Sequence, residues 1–210
     1  MAIRAPLTAL AVTVAVVSAP VSAAEIGCEG VFNAETTLAD LEAEFGAENV
    51  VTGEVPGPEG TTMVATTIFP DDPDRTMQVR WWDEENVSSF AGVTLAAGDT
   101  GPGGIALGMP IAEVEAINGE PFNLWGFFWD YGGGAGFQSG TLSDIPGGCF
   151  VNLRFAPARE DLPDSLSLAI SGDIELRSDM PELTEAEVVV REINLGYPFP
   201  EELEGGETAE

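Results

Sequence analysis

Thr37-Leu38-Ala39-Asp40-Leu41-Glu42-Ala43-Glu44-Phe45-Gly46 returns, about 73 residues later, as Pro110-Ile111-Ala112-Glu113-Val114-Glu115-Ala116-Ile117-Asn118-Gly119. Each stretch spells a short amphipathic helix. In the first, Leu38, Leu41 and Phe45 fall at i, i+3 and i+7, Thr36 or Thr37 supplies the N-cap, and Gly46 is the stop. In the second, Pro110 takes the first helical position, Ile111, Val114 and Ile117 or Asn118 carry the stripe, and Gly119 ends it. Helices of about three turns are not stable alone in water, so each needs a sheet to lie on.

The echo continues beyond the helices. Pro73 falls on Pro146, and Gln78-Val79-Arg80-Trp81 falls on Asn152-Leu153-Arg154-Phe155. Self-similarity at a fixed period marks a supersecondary unit used more than once. Alternating apolar residues predict strands over 77–82 and 149–155, preceded by strands at 63–69 and 122–131. Residues 89–96 and 166–171 are expected to close the two copies, and 188–195 to add a last strand. The fold class that results is α+β: two tandem repeats, each a short helix packed on an antiparallel sheet. Repeat 1 covers 24–97 and repeat 2 covers 98–176, divided at Asp99-Thr100-Gly101-Pro102-Gly103-Gly104. A C-terminal strand segment follows at 177–200.

Residues 1–23 read as a signal peptide. Arg4 gives the positive n-region, residues 7–17 the apolar stretch, and Val21-Ser22-Ala23 the cleavage site. No later stretch is long enough to cross a membrane. The expected location is therefore periplasmic or secreted. In an oxidising compartment the two cysteines, Cys28 and Cys149, are expected to form a disulfide. The chain has 7 Lys+Arg, all arginine, against 36 Asp+Glu and no histidine, a net charge of −29. Such a field repels nucleic acid and anionic lipid, and suits a saline medium or a cationic partner. A monomer is expected. Residues 201–210, half of them glutamate, read as an acidic disordered tail.

Gly108-Met109-Pro110-Ile111-Ala112-Glu113-Val114, followed by Gly119-Glu120-Pro121, resembles the helix signature of small outer-membrane assembly lipoproteins. It is similar as well to the tandem helix-plus-sheet repeats of the β-lactamase inhibitor protein type. Asn118-Gly119-Glu120-Pro121-Phe122, with Gly126-Phe127-Phe128-Trp129-Asp130-Tyr131-Gly132-Gly133, resembles an uncharacterised family of exported bacterial proteins. These resemblances imply a fold and no activity.

The residue inventory speaks against catalysis. Without histidine or lysine, and with both cysteines committed to a disulfide, the usual general bases and nucleophiles are missing. Paired carboxylates remain, which leaves a hydrolase acting on a glycan as the alternative. No cofactor is implied. Asp71, Asp72 and Asp74, with Glu59 and Asp83 as further candidates, offer hard oxygen ligands for calcium, or simply a turn between two prolines. The strongest site candidate is the aromatic run. A strand over 122–131 would put Trp125, Phe127, Trp129 and Tyr131 on one side, and Phe122, Leu124 and Phe128 on the other. Either both sides are covered, or one binds a protein partner through Trp and Tyr. Arg80 and Arg154 hold equivalent places in the two copies. They would pair with the chain's own carboxylates or grip a partner's.

Overall fold

A capping box opens the first helix. In the computed structural model, which describes residues 25–203, the Thr37 hydroxyl accepts from the Asp40 N–H at 3.3 Å, and the Asp40 carboxylate accepts from the Thr37 N–H at 2.9 Å. Helix α1 (Leu38–Phe45) stops at Gly46, buries Leu41, and packs Leu38 and Phe45 against the core. Helix α2 (Ile111–Asn118) buries Ile111, Val114 and Asn118. Pro110 occupies its N-cap position, one residue earlier than expected, and Gly119 ends it in the left-handed conformation.

The helices lie on a seven-stranded antiparallel sheet. Its strands are β1 (Val50–Pro56), β2 (Thr62–Ile68), β3 (Met77–Asp83) and β4 (Ser88–Thr94) from the first half. The short pair β5 (Thr100–Gly101) and β6 (Ile105–Ala106) forms a small hairpin of its own, and β7 (Asn123–Trp125) pairs with β10 (Glu175–Arg177). The large sheet is completed by β8 (Gly134–Gly136), β9 (Phe150–Pro157) and β11 (Val188–Gly196), in the order β1-β2-β3-β4-β11-β9-β8. The order reads symmetrically outward from the β4–β11 pair: β3 and β9, which carry Arg80 and Arg154, are each one strand away from it.

Register separates the two faces sharply. Thr66, Val79, Val93, Leu195 and Val151 are cross-strand neighbours in one row, and all are buried. The neighbouring row, pointing the other way, is Thr67, Gln78, Thr94, Asn194, Asn152 and Gly136. The first row joins one core with Leu41, Val114, Leu166, Ile170 and Leu183 from the helices. The second row belongs to the face that no helix among the described residues covers. Cys28, ahead of α1, is disulfide-bonded to Cys149 at the start of β9, and Tyr197 donates a hydrogen bond to the Cys28 carbonyl at 2.8 Å. No helix among the described residues is long and apolar enough to cross a membrane.

Three expectations are corrected. Residues 166–171 form no strand; they belong to helix α3 (Asp164–Ile170), where Leu166 and Ile170 are buried one turn apart, and β11 takes the place next to β4. A further short helix, α4 (Pro181–Glu185), buries Leu183. The strand expected over 122–131 ends at Trp125. At Gly126 a Cβ would stand 2.6 Å from the Gly172 carbonyl oxygen, so the chain turns there against the α3–β10 connection. Gly134–Gly136 supply β8, which has no counterpart among the expected strands, and β1 is an edge strand that Gly53, Glu54 and Pro56 disguised. The expected signal peptide lies outside the described residues, as does the tail from 204 onward. Glu201–Leu203, expected to belong to that tail, form a short 3-10 turn.

Candidate binding site on the free sheet face

Sheet twist turns the free face into a trough. In a flat sheet β2 and β8 would stand about 24 Å apart, five spacings of about 4.8 Å. Yet the Tyr131 hydroxyl, just before β8, donates to the Glu59 carboxylate, between β1 and β2, at 3.1 Å. The uniform hand of the twist lifts two diagonal corners of a sheet toward the same face. Here those corners meet. The floor between them is small-sided: Ala65, Gly92 and Gly196 are buried although they face away from the helices.

Trp125, Trp129 and Tyr131 line one end of the trough. Their rings pack edge to face, with centroids 6.2 Å apart at 89° for Trp125–Trp129 and 5.4 Å apart at 65° for Trp129–Tyr131. Trp125 is 45% and Tyr131 51% exposed, while Trp129 is half-buried and donates its indole N–H to the Gly126 carbonyl at 2.8 Å. Together with Gly134, Gly136, Asn152, Arg154, Glu192 and Asn194 they enclose a cleft of about 540 Å³. A second cavity of about 430 Å³ shares Trp125, Gly134, Gly136 and Asn152 and continues between β7 and β8. In the described part of the C-terminal segment, Phe199 packs on Trp82, at 5.3 Å.

Two aromatic assignments change. Phe127 is in the core, 3% exposed, because its N–H and C=O bond to Ile170 and Gly172 and hold it inward. Phe128 faces out, 64% exposed, at a positive φ that the turn after Gly126 imposes. The alternation fails because the strand does not continue.

The two arginines also differ from expectation. Arg154 grips no carboxylate: its Nε donates to the Gly132 carbonyl at 3.1 Å and its Nη2 to the Asp130 carbonyl, so it holds the aromatic loop onto β9. Arg80 lies half-buried on the floor, its pKa lowered by burial against the opposing charge of Glu192. Glu192 in turn accepts from the Asn194 amide at 2.7 Å, and Asn194 accepts from the Thr94 hydroxyl at 2.6 Å. The Tyr131 phenol is pushed above its ordinary range, first by the hydrogen bond to Glu59 and then by the charge of Glu59. Glu192, Asn152 and Asn194 were legible as polar residues alternating with buried ones. Nothing in the sequence placed Glu59, a further candidate calcium ligand there, beside Tyr131.

Asp71, Asp72 and Asp74 form a turn in which Asp72 accepts from the Asp74 N–H at 3.2 Å. Among the described residues no three His, Cys, Asp or Glu side chains are grouped to hold a metal. No protein-family model matches the chain, and no curated protein or solved structure matches it either.

Proposed function

We propose that this protein acts by binding and that the trough receives a protein partner. The observation that carries this reading is the exposed Trp125–Trp129–Tyr131 cluster on a sheet face without a helix over it. Large rings left in water are costly to a protein alone and are the side chains that dominate interface energetics. Gly134 and Gly136, which line the same cleft, add no side chain to fill it. A carboxylate hydrolase needs two acids flanking the bond it cleaves. The cleft lining supplies Glu192, and Glu59 and Asp130 stand beside Tyr131 at its edge, so a hydrolase acting on a glycan is the alternative that partner capture decides. The Cys28–Cys149 bond supports export to an oxidising compartment, in keeping with the leader read in residues 1–23.

The test is capture of partners from the envelope and medium of the exporting cell, with parent protein and with Trp125→Ala/Trp129→Ala in parallel. The reading predicts loss of the captured partner with little loss of stability. Truncating a core aromatic costs about 3–5 kcal/mol. A denaturant melt showing a loss of that size, with capture unchanged per folded molecule, would make these rings core and move the site elsewhere.

A further inference from the structure

Resting on the trough as the binding site, we propose that its ring cluster is a cage for a basic side chain, and that the partner is a protein segment presenting arginine or lysine there. The rings stand steeply to one another, at 89° and 65°, and so form walls; a single flat platform would suit a sugar ring better. A cation is held over ring faces within about 6 Å of the centroids. Carboxylates stand beside the cluster. Glu59 accepts from the Tyr131 hydroxyl, Glu192 lies half-buried on the floor, and Asp130 adds its charge beside Tyr131.

Neither arginine of the trough fills the cage: Arg154 is committed to the carbonyls of Asp130 and Gly132, and Arg80 faces the charge of Glu192 on the floor. Among the described residues the arginine seen over a ring is Arg75 on Phe69, at 3.6 Å and outside this cleft. At longer range the net charge of −29, with no lysine in the chain, draws basic segments in and turns acidic ones away.

The test titrates the full, oxidised, exported chain with capped peptides Gly-Gly-Xaa-Gly-Gly, where Xaa is arginine, lysine, citrulline or glutamate, at about 0.15 M salt. Binding is followed by the NMR signals of the tryptophan indole N–H groups. Arginine and lysine peptides are expected to bind, with citrulline, the same shape without the charge, about tenfold weaker. Trp129→Leu leaves net charge unchanged and is expected to weaken the arginine peptide about tenfold. Tyr131→Phe, which keeps a ring wall and loses the Glu59 bond, should weaken it about threefold and guards against a misfolded first variant. Equal binding of arginine and citrulline, arginine binding indifferent to Trp129→Leu in folded protein, or no binding by any peptide would each overturn the proposal. If arginine and citrulline bind alike and both are lost in Trp129→Leu, the trough stands as a binding site and only its selectivity for cations falls. If no peptide binds and partner capture also ignores Trp125 and Trp129, both readings fall together.

Discussion

Gly133 is the residue on which the aromatic loop hangs. Its φ is +76°, and a Cβ there would sit 1.9 Å from the Phe155 carbonyl oxygen. The same backbone contact is useful, since the Phe155 N–H donates to the Gly133 carbonyl at 2.8 Å. Gly133→Ala is therefore expected to cost about 2–4 kcal/mol, by detaching the loop that carries Trp129 and Tyr131 from β9. A denaturant melt unchanged to within about 0.5 kcal/mol would contradict this. Thr37 is the second informative residue: Thr37→Ala should cost about 0.5–2 kcal/mol through loss of the cap. The Thr37 hydroxyl, and then its N–H, hold the Asp40 carboxyl below its ordinary value. Because the folded pKa is the lower one, this contribution is present above about pH 4 and is lost as pH falls through the folded value. NMR titration of the Asp40 carboxyl should show its midpoint rise toward the ordinary aspartate value in the variant. At this scale the site was half legible. Trp125, Trp129 and Tyr131 stood out by type, but Phe127 and Phe128 were exchanged because alternation was extended past Gly126. Glu59 reaches Tyr131 across a corner that only the twist creates.

The elements came through better than the residues that end them. Both capped helices and β2, β3, β4, β9 and β11 follow from stripes and alternation that burial alone explains. What misled was local ambiguity. Residues 166–171 alternate as well as a strand does, and tertiary packing of Leu166 and Ile170 decides for helix. β8 has no side-chain signal, being glycine on either side of Ala135. The strand order suggests where a duplication would be sought: α1 with α2, β2 with β8, β3 with β9, and β4 with β11. Superposing these in an experimentally determined structure should bring Val79 onto Leu153 and Arg80 onto Arg154. An alignment reached only by pairing Val79 with Asn152 or Arg154, which point the other way, would end the duplication reading. The disulfide joins the segment before α1 to β9 across 121 residues of sequence. Closing a loop that long contributes about 4–5 kcal/mol in the chain-entropy account. Cys28→Ser/Cys149→Ser should lower the denaturant midpoint accordingly, and intact mass under native conditions should show no free thiol before reduction.

Taken whole, the molecule puts its helices on one side of a twisted sheet and leaves a polar, small-sided trough on the other, under a surface of strong negative charge. Association with a basic partner should accordingly weaken as salt rises from about 0.05 to 0.5 M, mainly through a slower on-rate. The trough itself is best tested by where a captured partner shields the backbone. Amide hydrogen exchange of the free and partner-bound protein should show new protection around residues 125–136 and 150–154 and along 192–196, with α1 and α2 unaffected. Protection confined to the helices, or to the outer edge of β1, with the aromatic loop exchanging as in the free protein, would contradict the assignment of the trough as the binding site.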